Sequence, residues 1–345
     1  TDAGTALVFG YLGGAPLPFA ETRPGGSFIL FFQALPLVLV VGAISAVLYH
    51  WRVLPVVVTF MAHGLRRAFG LSGACGFSVA ANVFVGMVEA PLMIRAWIGR
   101  MSRSDLFVVM VAGLATISGN TLVVYAMIIG PVVPDAAGQL LTASLVAAPA
   151  AVLAGLLMMP PDPGHTAQDD AIEDASPRLY DSTMEALVRG TNDGLTLLLG
   201  IMASLIVFVA LVALVNEMLS PLGGITLQAI AAWIFWPFAW AMGVPFEEAS
   251  SVARSLGVKV VINEFVAYLE LGQSGGGLAE RTRLILTYAL CGFTNFGSVG
   301  IMVGGMTAMC PERRADIVKL GLPSLVAASI ACCMTGATIG LLTAP

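Results

Sequence analysis

Charge is what this sequence has little of: Asp, Glu, Lys and Arg make up only 11% of its 345 residues. A soluble domain carries roughly 25%, so a surface built for water is hard to assemble here. The three histidines, His50, His63 and His165, are scattered and form no H-E-x-x-H, which argues against a metalloprotease. The five cysteines, Cys75, Cys291, Cys310, Cys332 and Cys333, contain no C-x-x-C pair, and zinc or thioredoxin-like chemistry has no support. They read as small apolar residues. No G-x-x-x-x-G-K-[ST] occurs, so an ATP-driven pump would need a separate subunit. A net charge of −5 and a pI of about 5.2 offer no basic face for nucleic acid. Residues 1–26 lack the basic start and continuous apolar core of a signal peptide, and the sequence opens without Met, as a trimmed or mature chain would.

Apolar residues are what it has in plenty: 58% of the chain, with a mean hydropathy of +0.90. A helix crosses a bilayer core with about 20 apolar residues. Stretches of that length without a charge run at 28–49, 106–130, 139–159, 194–215, 222–244, 284–309 and 320–345. The ten-residue alternation of a membrane barrel is absent. Helix is then the spanning structure that satisfies its own backbone. The spacing predicts amphipathic interfacial helices over 52–70, 180–192 and 245–256, and an acidic, Pro-rich solvated loop over 160–181.

Two apolar segments are interrupted. Leu71–Arg100 is broken by Asn82, Gly86, Glu89 and Pro91, and Gly257–Gln273 by Lys259, Asn263 and Glu264. Each suits a re-entrant hairpin that enters the membrane, turns and leaves on the same side. The order of amphipathic helix, hairpin and charge-free helix occurs at 52–130 and again at 245–309. The helices after the hairpins share a local pattern, Gly113-Leu-Ala-Thr-Ile-Ser-Gly119 beside Gly292-Phe-Thr-Asn-Phe-Gly-Ser298. Paired interrupted segments in two halves point to a transporter site. Three apolar stretches separate the repeats. If all span, the repeats are parallel; if 222–244 lies along the surface, they are inverted. Its Trp233, Trp236 and Trp240 favour the interface, and with it the inverted arrangement.

The expected architecture is therefore an all-α, multi-pass helical transporter with two re-entrant hairpins and an inverted internal repeat. Residues 1–51 form a scaffold segment with the first spanning helix. Residues 52–130 form the first transport-domain repeat: interfacial helix, hairpin and broken spanning helix. Residues 131–244 are spanning helices and the acidic loop, partly scaffold, and 245–345 are the second repeat with the last spanning helix. Basic residues at 66–67 and 95–103 flank one hairpin and mark the cytoplasmic side.

A carboxylate inside the bilayer costs about 2.5 kcal/mol or more and persists where it meets water or a partner. Glu89 lies between Gly86 and Pro91, so free helix ends should surround it. Glu264 has Lys259 five residues before it, and an ion pair between the two is an alternative to a solute-binding role. Asn82 and Thr116 offer oxygens to a sodium ion, or hydrogen bonds between helices. Asn295, read as mid-helix, shares a face with Ser298 beside Phe293. That polar patch next to a ring suits a ligand with hydroxyls and a flat ring; close helix packing through Gly297, Ser298 and Gly300 is the alternative. An enzyme would need a nucleophile and base, which are not found, and a channel would need a continuous polar stripe, which the charge-free helices do not offer.

Gly257-Val-Lys-Val-Val-Ile-Asn-Glu-Phe-Val-Ala-Tyr268 matches every specified position of G-x-K-x-x-x-N-E-F-V-A-Y, a signature of the concentrative nucleoside transporters. Residues 82–92, 101–107 and 291–298 also resemble that family, and the resemblance covers nearly everything from Phe28 onwards. Bacterial members usually begin with two more spanning helices than this sequence contains. The resemblance implies a homotrimer in the inner (plasma) membrane, with a scaffold and a mobile transport domain, that couples nucleoside uptake to a sodium or proton gradient. It needs no other cofactor. It places Glu89, with Gly86, Met87, Val88 and Thr121, towards the base. Glu264, Asn295 and Ser298 fall towards the ribose, with Phe293 against the ligand. Asn82, the Val85 carbonyl, Thr116 and the Ile117 carbonyl fall around sodium. One departure stands out: the family's G-Q-T-E reads Gly86-Met-Val-Glu89 here. Losing donors opposite a polar base edge leaves that edge unpaired, at about 1–3 kcal/mol. An altered base preference follows, or alternatively a modified nucleoside or other hydroxyl-rich solute.

Overall fold

The structure is a computed structural model that describes residues 1–20, 27, 29–161, 179–222 and 224–343. Most of the acidic loop, 162–178, lies outside the described residues. Among the described residues every regular element is helical. In chain order these are α1 (Asp2–Phe9), α2 (Leu30–Gln33), α3 (Leu37–His50), α4 (Val53–Phe69), α5 (Gly73–Asn82), α6 (Glu89–Met93), α7 (Arg95–Ile98), α8 (Arg103–Ala115) and α9 (Gly119–Ile129). They continue with α10 (Ala136–Met158), α11 (Thr183–Leu219), α12 (Leu227–Ala241), α13 (Phe246–Val261), α14 (Glu264–Ser274), α15 (Glu280–Leu290), α16 (Phe296–Met309) and α17 (Arg314–Leu342). Among the described residues, five stretches are long and apolar enough to cross a membrane: Leu30–His50, Arg103–Ile129, Ala136–Met158, Thr183–Leu219 and Pro311–Leu342. Val207, Leu211, Leu214 and Met218 on α11, and Val318, Leu322 and Val326 on α17, are exposed along such helices. Large apolar side chains repeated on an exposed helix face fit lipid rather than water.

The chain forms two compact units, residues 1–54 with 178–206, and residues 55–177 with 207–345. In the first, α3 and α11 pack backbone to backbone. A Cβ on Gly190 would come within 2.7 Å of the Gly42 carbonyl, so glycine is required at the crossing. Trp51 Nε1 donates to Thr183 Oγ1 at 3.2 Å at the end of this pair.

In the second unit α8 is the core: Leu106 to Ala115 are all buried, packed by α5, α10 and α17. Gly155 of α10 lies against Val108, where an added Cβ would meet its Cγ2 at 2.9 Å. α12 lies along α13, and Gly257 faces the α12 backbone, 3.0 Å from Gln228 O for a built Cβ.

Three expectations are corrected here. The segment 180–192 is not a separate interfacial helix; it is the start of the 37-residue α11, which no proline interrupts and whose polar first turns are supported by the Arg189–Glu185 pair at 2.8 Å. The segment 245–256 likewise runs on without a break as α13, because Gly257 is held helical against α12, so the interruption falls at Ile262–Asn263. Finally, Asn295 is not mid-helix. The charge-free stretch 284–309 is two helices, α15 and α16, and Asn295 is the N-cap of the second. The stretch 106–130 is divided in the same way, between α8 and α9.

Candidate solute and ion site

All the residues of the candidate site lie in the second unit. Four helix starts build it. Asn263 caps α14 by accepting from Val266 N at 3.0 Å, which puts Glu264 in the first turn. Asn295 caps α16 by accepting from Ser298 N at 2.7 Å. Ser118 precedes α9 in an extended conformation, and Val88 precedes α6, whose first residue is Glu89. Asn and Ser favour such positions because a short polar side chain replaces the missing intrahelical acceptor.

Glu264 is buried, and each carboxylate oxygen has a donor. Tyr125 Oη donates to Oε1 at 2.9 Å, and Asn295 Nδ2 donates to Oε2 at 2.9 Å. Asn295 thus serves both groups at once, its amide nitrogen on Glu264 and its oxygen on the Ser298 amide. Among the described residues no ion pair within 4 Å joins Lys259 to Glu264: Lys259 Nζ donates to the Ala289 carbonyl at 2.8 Å, and its charge acts on Glu264 from farther away. That carbonyl lies in the last turn of α15, whose final carbonyls have no helical donor.

Asn82 ends α5 with 1% exposure, and neither Oδ1 nor Nδ2 has a hydrogen-bond partner. Buried polar atoms are nearly always paired, so this amide has room for a water or an ion as its partner. Thr116 Oγ1 lies 3.2 Å from the Asn82 carbonyl and 2.9 Å from Ala112 O. Gly119 N donates to Phe84 O at 3.0 Å and ties the turn after α5 to the start of α9. Val85 and Ile117 stand in these two non-helical turns, where carbonyls are free of regular helical pairing. Thr116 is thus in contact with Asn82, and the turn that holds Val85 is bonded to the start of α9, two residues after Ile117. An Asn amide oxygen, a hydroxyl and carbonyls are hard donors of the kind a small alkali or alkaline-earth cation takes.

The remaining expected residues are less uniform. Thr121 Oγ1 lies 3.0 Å from the Ser118 carbonyl and 3.1 Å from Ser118 Oγ. Phe293 is half-buried in the break before α16, and its carbonyl accepts from Asn295 N at 2.9 Å. Met87 packs on Gly113 of α8 and Val88 on Gly305 of α16, with built Cβ contacts of 3.3 and 2.8 Å. Glu89 is exposed and its carboxylate folds back over Gly86, where a Cβ would displace it. No contact joins Glu89 to Glu264 among the described residues. Tyr125 was missed by sequence reasoning. Its signal was a tyrosine four residues after Thr121, on the same face of a charge-free helix.

Residues 139–340 match the family model described as "Na+ dependent nucleoside transporter C-terminus", and residues 31–132 match one described as "Nucleoside recognition". The chain is 39% identical to an uncharacterized transporter of Haemophilus influenzae, over 93% of this chain and 78% of that protein. It is 33% identical to the putative nucleoside permease NupX of Escherichia coli, over 99% of this chain and 82% of the other. Its fold is similar to CNTnw in an inward-facing substrate-bound state, with a TM-score of 0.88 and 37% identity over 99% of this chain and 82% of that one. A family model over more than half the chain and relatives of this similarity agree with the long signature at 257–268: the chain belongs to the concentrative nucleoside transporter family.

Proposed function

We propose that this protein imports nucleosides by sodium symport. The observation that carries the reading is the buried Glu264 carboxylate, held from both sides by Tyr125 and Asn295, with acceptor positions left over for sugar hydroxyls. A carboxylate has about four lone-pair sites, and the two side chains occupy one on each oxygen. Glu264, Asn295 and Ser298 bind the ribose, and Phe293 lies against the ligand. Gly86, Met87, Val88, Glu89 and Thr121 face the base. Sodium, as cargo, takes Asn82, the Val85 and Ile117 carbonyls and Thr116. Support for sodium comes from the unpartnered Asn82 amide and from the family model's name.

The movement is read as elevator-like. One relative of the same fold, CNTnw, has been solved in an inward-facing state, and its substituted variants in intermediate and outward-facing states. In this reading 71–100 and 257–273 are re-entrant hairpins of an inverted repeat. The moving part is 52–130 with 245–345, and residues 1–51 with part of 131–244 form the scaffold of a homotrimer in the inner membrane. Breaks in the same place within two similar segments, at 116–118 and 291–295, favour the repeat. The apolar Met87 and Val88 alter the base preference within the nucleosides. A non-nucleoside solute is not favoured by the relatives.

Proteoliposomes holding the purified protein should take up labelled uridine or adenosine faster under an inward sodium gradient than without one. Uptake driven by a proton gradient alone would replace sodium as the coupling ion. No gradient-dependent uptake of either nucleoside would overturn the reading.

A further inference from the structure

We infer, resting on the reading of Glu264 as the ribose carboxylate, that Tyr125 is a positioning residue: its hydroxyl aims Glu264 at the sugar and links that carboxylate to the helix that starts beside the ion site. Glu264 is a flexible side chain whose terminal torsion is broad. Without Tyr125, Asn295 would be its one remaining side-chain hydrogen-bond partner, and the oxygen that Tyr125 holds would be less firmly aimed at the ligand. Tyr125 removes that freedom by donating to this oxygen at 2.9 Å.

The hydroxyl is itself held rigidly. The Tyr125 ring stacks on Tyr268 at 4.6 Å and 27°, and meets Phe265 edge-on at 5.7 Å. Tyr268 is anchored in turn by its hydroxyl, which donates to Thr287 O at 2.9 Å. A ring held by a stack and an edge-on neighbour delivers its donor to one point, which a long aliphatic side chain would not. With one oxygen held by Tyr125 and the other by Asn295, the free lone pairs are presented together, as a vicinal diol requires.

Tyr125 also belongs to α9, whose start is tied to the turn after α5 by Gly119 N to Phe84 O at 3.0 Å. Thr116 and Ile117 lie immediately before that start. A displacement of these groups when a cation enters is carried along two turns of rigid helix to the Tyr125 hydroxyl, and from there to Glu264. The bond therefore joins the ion-side helix of the first repeat to the solute-side hairpin of the second.

The test uses the purified full chain and Tyr125→Phe, which removes only the hydroxyl. Binding and proteoliposome uptake are measured for uridine and adenosine against their 2′-deoxy and 3′-deoxy analogues, with and without sodium. The preference of Tyr125→Phe for the ribonucleoside should fall about tenfold against at least one analogue, the order of one hydrogen bond to a charged group. KM should rise while kcat is nearly kept, and sodium should sharpen nucleoside binding less. Tyr268→Phe removes the anchor of the stack but leaves the Tyr125 hydroxyl in place, and should lower the ratio by less than Tyr125→Phe does; an equal or larger fall would assign the effect to packing of the stack and overturn the role of the hydroxyl. An unmoved ratio in Tyr125→Phe, with Glu264→Gln still abolishing binding, overturns the role of Tyr125 and leaves the nucleoside reading standing. If Glu264→Gln binds as the unaltered protein does, or the unaltered protein binds none of these nucleosides, both fall together.

Discussion

The backbone of Gly292 lies on the carbonyl of Ala115: a Cβ at 292 would come within 2.7 Å of that oxygen and 2.7 Å of Cys332 Sγ. The two broken helices thus touch at their breaks. The contact brings the start of the segment holding Phe293 and Asn295 against the end of α8, next to Thr116. Cys332 of α17 seals the crossing, its Sγ 3.7 Å from Ala115 O and 3.6 Å from Cys291 O.

Gly292→Ala should therefore destabilise the protein, because the new methyl meets the Ala115 backbone as well as the buried Cys332 thiol, and the backbone cannot turn aside. Overpacking of a tight core costs about 1–3 kcal/mol. A lower melting temperature in detergent, with weaker nucleoside binding, is the expected pair of results. Unchanged melting would mean that the two breaks have slack between them.

Asn82→Leu separates an ion-binding role from a packing role. A polar side chain engaged with its neighbours costs stability when removed, whereas replacing unpartnered polar atoms by an apolar group of similar shape is nearly neutral or stabilising. Both polar atoms of the Asn82 side chain are unpartnered. The variant should melt no lower than the unaltered protein yet lose sodium stimulation of uptake. A fall in melting temperature with sodium dependence intact would return Asn82 to an ordinary helix-packing role.

How far the sequence announced this can be read residue by residue. The apolar stretches and the two interrupted segments were legible, because length without charge is a direct requirement of the bilayer core. The break before α16 was not, since Asn295 sits in an apolar run with no proline, and apolar runs carry no mark of where a helix stops. Its N-capping role is a local signal that reads clearly only once the break is known, as it did for Asn263. Lys259 and Glu264 looked like a direct pair because they are close in sequence, but the Lys259 ammonium is hydrogen-bonded to the Ala289 carbonyl and reaches Glu264 only through its charge. Tyr125 and Glu264 are 139 residues apart, and no local pattern links them.

Glu264→Gln should abolish uptake of ribonucleosides, by roughly a hundredfold or more if two charge-assisted bonds to the sugar are lost. The change also places an amide NH2 where an acceptor is needed, because both neighbours, Tyr125 Oη and Asn295 Nδ2, are donors. Glu89→Gln should depend on the base supplied, since Glu89 lies in the exposed turn after Gly86 and apart from the buried network. Uptake of uridine and adenosine by the two variants, measured side by side, checks the contrast. Equal losses for both bases in Glu89→Gln would remove the division of labour between the two carboxylates.

Met87→Gln with Val88→Thr tests the base side. Met87 rests on Gly113 and Val88 on Gly305, so the turn is packed by apolar side chains against two glycines. Gln is close to Met in length, and Thr is close to Val in shape, so the turn should keep its path while gaining two hydrogen-bonding groups. Each added bond to a base edge is worth about 1 kcal/mol, roughly a five- to tenfold change in affinity per bond. The double variant should shift its preference among uridine, cytidine and adenosine relative to the unaltered protein, while its discrimination between ribose and deoxyribose stays the same. If instead the ribose discrimination moves and base preference does not, the turn at 86–89 faces the sugar, and the assignment of the two ends of the ligand must be exchanged.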